Sequence, residues 1–319
     1  MICVVIPCYK VRKSILSVIN KIPEIVGKII VVDDFCPEGT GKYVEDNCSD
    51  KRVEIISHVR NQGVGGAMIS GYMRAIELGV SVVVKIDGDG QMDPAHIEEL
   101  LFLINSKEAD YVKGSRFYFV NDLKNMPFIR LIGNSILSFY NKLISGYWDI
   151  MDPTNGYTAI HTDILKMLPL QKISKDFFFE SDMLFRLNTI RAVVKEVPVP
   201  VSYENNKSNL SVFKVLFTFP FKYSSRLVKR IMYNYFIRDF NIGTLELLIS
   251  LVFTMVGVSF GLYHWWKSIL YNVPATAGTV IISALLVILG FQSFLAYIHF
   301  DLINIPRKVL IKNRVIHGQ

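Results

Sequence analysis

The chain has 319 residues, 51% hydrophobic and 20% charged, with 35 Lys and Arg against 28 Asp and Glu for a net charge of +7. That is too long for one ordinary soluble domain and too apolar for two. Residues 1–210 hold 24 bases against 25 acids (net −1) and residues 211–319 hold 11 against 3 (net +8), so a near-neutral globular part precedes a basic, apolar tail that suits a membrane surface and argues against nucleic acid as partner.

From the N-terminus, β-branched runs at 2–6 (ICVVI), 28–32 (KIIVV), 53–57 (VEIIS) and 80–86 (VSVVVKI) predict strands, with helices at 14–23, 40–47 and 64–78 between them. Such alternation predicts right-handed βαβ crossovers and an α/β, Rossmann-like, mostly parallel sheet. Ligands of these sheets bind beyond the carboxyl ends of the strands. PCYK (7–10), DDFCPEGT (33–40), NQGVGGA (61–67) and DGDGQ (87–91) all fall there, four polar motifs describing one site. Beyond residue 110 the pattern becomes α+β: a strand at 110–114, a helix at 128–145, a loop MDPTNGYTAIH (151–161), a helix at 177–190 and a strand leading into VPVPVSY (197–203). The polar run ENNKSN (204–209) closes a globular domain spanning 1–210.

Residues 211–240 interleave aromatics with Lys214, Lys222, Arg226, Lys229, Arg230 and Arg238, the pattern of interfacial helices on an anionic leaflet. The region 241–305 holds two uncharged apolar runs, 247–266 and 278–300, each near the 20 or so residues a helix needs to cross a bilayer. KSILYNVPAT between them carries one base, whereas PRKVLIKNR opens a basic tail at 306–319. The positive-inside rule therefore predicts an integral membrane protein with the globular domain and both termini in the cytoplasm. MICVVIP passes from Met1 straight into a strand, so no signal peptide is expected. Cys3, Cys8, Cys36 and Cys48 form no CxxC pair and are expected as free, buried thiols.

The DGDGQ motif offers Asp87, Asp89 and the Gln91 amide oxygen as hard ligands for Mg²⁺ or Mn²⁺, with glycines that let a ligand approach the backbone. A cation there would bridge a nucleotide diphosphate and neutralise charge on the leaving group. Of Asp33 and Asp34, one suits a ribose or base and the other the cap of the helix near 40. The glycines of NQGVGGA fit either a phosphate cradle or close helix–sheet packing, and the third Gly of GxGxxG is replaced by Met68.

In combination, VVIPCYK, VVDDFCPEGT, NQGVGGA, IDGDGQMDP and VKGSRF resemble, in order, the V-I-P-x-Y-N, V-V-D-D-G-S-x-D-G-T, N-x-G-x-G-x-A, D-A-D-x-Q-H-x-P and G-S-R-[FY] motifs of family 2 glycosyltransferases of the GT-A fold. The likeness covers residues 1–200, and the paired apolar segments are similar to the polyprenyl-phosphate branch of that family, which includes dolichyl-phosphate mannose synthases and undecaprenyl-phosphate glycosyltransferases. The resemblance implies Asp87, Asp89 and Gln91 at the metal. It implies Pro7, Tyr9, Val32, Asp34 and Asp87 at the nucleotide-sugar, with Arg116 on phosphate oxygens and Lys207, beside Ser208, on the diphosphate. Arg116, Arg130 and Ser135 fall where the family binds the lipid phosphate, although a solvated helix residue is the plainer account of Arg130. Phe35 and Cys36 depart from the pattern, standing where Gly-Ser is usual.

Asp152 in DPTNGY and Asp182 in FESD resemble acidic motifs of the family and join Asp89 as the carboxylates expected at the reacting centre. Asp152 and Asp182 are assigned to positioning, with helix capping the simpler role for Glu180. The resemblance thus implies a hexosyltransferase that moves sugar from a UDP- or GDP-linked donor to a polyprenyl phosphate, with inversion, assembled as a homo-oligomer such as a tetramer. The alternatives are a membrane transferase acting on a glycan hydroxyl, with Asp182 as base, and a non-enzymatic nucleotide-sugar-binding scaffold. The QxxRW motif of processive synthases is absent.

Overall fold

A computed structural model describes residues 1–118, 128–200 and 212–311, leaving aside the side chains of 128–132, 134 and 212–220. The chain forms two compact units, Met1–Leu227 with Pro306–Gln319, and Val228–Ile305. The break expected at 210 lies outside the described residues.

In the first unit, β1 (Ile2–Cys8), β2 (Val26–Asp33), β3 (Val53–Ser57) and β4 (Val82–Lys85) alternate with α1 (Ile15–Asn20), α2 (Thr40–Asn47) and α3 (Val64–Glu77). Next come α4 (Ile97–Asn105), β5 (Tyr111–Ser115), α5 (Phe128–Ser145), β6 (Thr158–His161), α6 (Thr162–Met167), α7 (Phe179–Thr189) and β7 (Val194–Pro198). The sheet order is β3-β2-β1-β4-β6-β5-β7. All neighbours are parallel except β6, which runs antiparallel to both β4 and β5. Strand β6 and helix α4 are additions to the sequence reading, which left 158–161 in a loop. TAIH is too short to display a period, and only its fit between β4 and β5 makes it a strand.

The β-branched runs are buried because helices cover both faces: Val4, Ile6, Val31 and Val84 pack with Ile15, Ile19, Leu100 and Ile104. Gly71 of α3 meets Val5 so closely that an added Cβ would lie 2.3 Å from Val5 Cγ1. An added Cβ at Gly65 would lie 2.2 Å from the Ser174 carbonyl oxygen. Within NQGVGGA, Gly65 and Gly63 thus pack closely against the backbone at Ser174 and Lys175, while the glycine that meets the sheet, Gly71, lies beyond the motif.

Helix α8 (Val212–Ile231) follows β7, and a short π-helical turn occupies Met232–Ile237. At the far end of the chain, residues 306–311 belong to the first unit again. The buried Asp110 carboxylate, just before β5, accepts the amides of Val193 (2.8 Å), Leu310 (3.0 Å) and Ile311 (3.4 Å). One acid thus ties down the segment that leaves the apolar hairpin.

The second unit is built on α9 (Ile242–Tyr271) and α10 (Ala277–Ile303), 30 and 27 residues long and antiparallel. Small residues line their contact: Gly261 lies against Ser283, Gly290 against Thr254, and Ser283 Oγ donates to the Gly257 carbonyl at 2.8 Å. Helices approach closely at such positions in lipid, where hydrophobicity alone does not drive association. Both are long and apolar enough to cross a membrane, and they are largely exposed, unlike core helices of soluble proteins. At the base of the hairpin, Arg230 forms a buried ion pair with Asp301 at 2.7 Å, and the Tyr235 hydroxyl donates to the same carboxylate.

Candidate active site

The parallel register places Pro7 opposite Val32 and Cys8 opposite Asp33. Val5 lies opposite Lys85, so the loops after β1, β2 and β4 emerge side by side. Val32 is buried, whereas Tyr9 is exposed next to its strand end.

The two acids after β2 serve the backbone. Asp33 accepts the amides of Cys36 and Gly41, which fastens the loop and the first turn of α2. Asp34 is 3% exposed. It accepts the amides of Gln62 (2.8 Å) and Gly63 (2.7 Å) and the ring of His58 (2.7 Å), whose other nitrogen meets Ser70 Oγ. A carboxylate with three such partners holds the loops after β2 and β3 together, which no local signal in the sequence announced. The turn between these acids and α2 is strained: Phe35 has φ +55° and Lys10, across from it, φ +59°. This region costs a non-glycine residue about 1–2 kcal/mol. The Lys10 amide and the Cys36 sulfur, 3.1 Å apart, join the two loops. All four cysteines are free, but only Cys3 and Cys8 are buried, Cys36 and Cys48 being half-buried.

At the end of β4, Lys85 is buried and its ammonium donates to Asp87 Oδ1 at 2.7 Å and to the Gly156 carbonyl at 3.2 Å, with Glu180 Oε1 at 3.3 Å. Glu180 is therefore a counter-ion of this lysine. Burial by itself lowers the Lys85 pKa, but the charges of Asp87 and Glu180 outweigh it and hold the group above its ordinary value. Gly156 makes room, since a Cβ there would lie 2.3 Å from Lys85 Nζ and 2.9 Å from Asp87 Oδ2. Asp89 Oδ1 accepts the Gln91 amide at 3.0 Å. Burial pushes the Asp89 carboxyl up, the Gln91 amide works against it, and the Asp87 charge adds to the rise. Among the described residues no group of three or more His, Cys, Asp or Glu side chains is placed to hold a cation. The DGDGQ loop nevertheless carries two carboxylates and an amide side chain at a half-exposed position, oxygen donors of the kind that Mg²⁺ or Mn²⁺ prefers.

Around β5 the buried charges are paired. Arg116 grips Asp152 through two bonds, Nε to Oδ2 at 2.6 Å and Nη2 to Oδ1 at 2.8 Å. Asp152 is 0% exposed, and its backbone amide is held by Glu196 at 2.7 Å. Asp182 is likewise 0% exposed: Oδ2 accepts Ser174 N (2.8 Å) and Arg186 Nε (3.1 Å), and Oδ1 accepts Arg226 Nε of α8 at 2.6 Å. Ser135 is exposed on α5, where Arg130 also lies with its side chain outside the described set. Lys207 and Ser208 lie outside the described residues.

Lys113, buried in β5, donates to the Asn155 carbonyl at 2.6 Å. Burial pushes its pKa down to about 8, against the opposing pull of Glu180, Asp152 and Glu196. A lysine depressed in the fold penalises folding below that value, and the penalty lifts as pH rises toward 10.5. Denaturant titrations should show the parent gaining up to about 3 kcal/mol over this window relative to Lys113→Met. Parallel pH profiles would contradict the assignment.

The family model for glycosyl transferase family 2 matches residues 3–168, from the first strand through the strand added to the sheet. The chain belongs to glycosyl transferase family 2. This glycosyltransferase is 32% identical over 217 residues to a UDP-N-acetylglucosamine–dolichyl-phosphate N-acetylglucosaminyltransferase of Methanococcus voltae, covering 64% of this chain and 86% of the relative. It is 31% identical over 212 residues to an undecaprenyl-phosphate mannosyltransferase of Micrococcus luteus, covering 65% and 86%. Among solved structures, glucosyl-3-phosphoglycerate synthase from Mycobacterium tuberculosis, in complex with UDP, superposes with TM-score 0.55 at 19% identity, over 72% of this chain and 79% of the synthase. That match supports the GT-A-like fold. The glycosyltransferase is thus an enzyme related to polyprenyl-phosphate sugar transferases, in line with the hexosyltransferase expected, and the scaffold alternative falls away.

Proposed function

We propose that this glycosyltransferase moves a hexose from a UDP- or GDP-linked donor to the phosphate of a polyprenyl phosphate, in one in-line displacement with inversion. An acceptor phosphate oxygen forms the new bond to the anomeric carbon as the bond to the nucleoside diphosphate breaks, the electron pair leaving with the diphosphate. Asp87, Asp89 and Gln91 would hold Mg²⁺ or Mn²⁺, which when bound neutralises charge on that leaving group. Lys85 and Gly156 orient Asp87 for this role, and the Asp152 fork orients Arg116 toward phosphate oxygens.

The observation that carries the choice of acceptor is the state of Asp152 and Asp182. A sugar hydroxyl needs a general base, and Asp182, the candidate for it, is buried and paired with two arginines, as Asp152 is with Arg116. A phosphate monoester ionises with a second pKa near 6 and needs none. The names of the relatives point the same way.

Membrane attachment through α9 and α10 fits a lipid acceptor. The amides of Leu310 and Ile311 bound to Asp110 tie the segment after the hairpin to the catalytic unit, and the Arg226–Asp182 pair ties the helix before it, which supports two spans with the catalytic unit and the basic tail on the same, cytoplasmic side.

The test is a donor screen with the full chain in detergent, offering undecaprenyl phosphate, dolichyl phosphate and a hydroxyl-bearing glycolipid. Transfer to a polyprenyl phosphate with inverted anomeric configuration is expected. Transfer to the glycolipid alone would overturn the reading.

A further inference from the structure

We propose that Phe35 is a nucleobase-stacking residue of the donor site, a planar uncharged base lying on the ring that the strained turn after β2 holds outward. This rests on the nucleotide-donor reading above.

Phe35 carries two features that work against stability at once. It has positive φ, and its side chain is 60% exposed, so burial returns nothing for the strain. The other positive-φ non-glycine residues described are Lys10, Lys107, Arg191 and Asn272, all polar, so Phe35 is the one apolar member. The position resembles one where the family places glycine, which would adopt this backbone freely.

The turn is not a loose loop. Asp34, before Phe35, is locked by His58, Gln62 and Gly63, and Cys36, after it, is bonded to Asp33, Lys10 and Thr40. Both neighbours are fixed, so the ring has a set direction of exit at the ligand-binding end of the sheet.

Position within the sheet selects the ligand. Phe35 follows β2, Tyr9 follows β1, and the acidic DGDGQ loop follows β4 on the other side of β1. Strand spacing puts the ends of β2 and β4 about 10 Å apart. A nucleoside diphosphate extends over such a span, with its diphosphate at the acids and its base over β1 and β2. Tyr9 is 42% exposed there, with Lys10 Nζ 5.4 Å from its ring centre, so two aromatic rings stand at adjacent strand ends. A single exposed phenylalanine on a surface needs no explanation. An exposed phenylalanine in a strained, fully braced turn at the ligand end of a nucleotide-sugar fold does.

The experiment measures binding of UDP, GDP and inorganic pyrophosphate to the full chain by calorimetry with Mn²⁺, together with melting temperature. Asn tolerates positive φ, so Phe35→Asn should melt no lower than the parent. Its affinity for the preferred nucleoside diphosphate should fall about 5- to 150-fold, the usual worth of one base–aromatic stack. Pyrophosphate, which has no base, should bind both proteins equally, and Phe35→Tyr should restore nucleotide affinity. Unchanged nucleotide affinity in Phe35→Asn, or an equal loss for pyrophosphate, would overturn the assignment of Phe35 alone. A parent that binds neither UDP nor GDP would overturn the donor reading and this inference with it.

Discussion

Asp89→Asn is expected to lower sugar transfer by about 100- to 1,000-fold while leaving the fold intact, the magnitude seen when one preorganised electrostatic contact to a developing charge is removed. The variant isolates charge from structure. Asparagine keeps an oxygen to accept the Gln91 amide, so the turn persists, and only the negative charge is lost. Folding should gain slightly, if it changes at all. The Asp89 carboxyl is held above its ordinary range, so its ionised form is disfavoured in the fold, and that penalty is present at pH 7 and lifts only in acid. A neutral side chain never incurs it. Chelator should abolish transfer by the parent, and Mn²⁺ or Mg²⁺ should restore it. Paramagnetic resonance of Mn²⁺ in the presence of UDP or GDP supplies the readout independent of turnover: the variant should bind the ion more weakly. Full transfer in chelator, or unaltered Mn²⁺ binding in the variant, would remove Asp89 from the cation site.

The second large effect is structural. Asp182→Asn should cost on the order of 3 kcal/mol and lower the melting temperature by roughly 10 °C. Both oxygens of Asp182 are occupied by guanidinium donors, from Arg186 on its own helix and from Arg226 on α8. Removing the charge leaves two arginines facing a neutral amide in a site with no solvent access to the acid. Partial exposure of Arg226 keeps the expected cost at the low end of the range for breaking buried pairs. The same variant decides between acceptors. As a tether, Asp182 should affect thermal stability, and transfer measured well below the melting point should persist with an unchanged pH profile. An undiminished melting temperature with loss of the acidic limb of that profile would make Asp182 a general base and favour a hydroxyl acceptor.

Local pattern alone determined a good part of this protein. The β-branched runs and the glycine-spaced acids of DGDGQ are read within a few residues of themselves, because strand burial and hard-ligand spacing are properties of consecutive positions. The two apolar C-terminal runs are read the same way, from length and composition. Their helices nevertheless extend beyond the uncharged runs, through Glu246 at one end and Asp301 at the other, since the latter finds Arg230. What tertiary structure decided is which polar groups meet across long separations in the chain. Asp34 is read from the sequence as suited to a ribose or base, and only folding shows that it also accepts from His58, Gln62 and Gly63. Asp182 took its second guanidinium from 44 residues away, and Asp110 found the amide of Leu310 at a separation of 200. Strand β6 exists because β4 and β5 leave an antiparallel slot that four otherwise undistinguished residues fill. The backbone angle of Phe35 belongs to the same class, being imposed by bonds on either side of it and written in no periodicity. Carboxylates and amides carry no label for their partners, and a buried polar group accepts whichever donor the closed chain brings within reach.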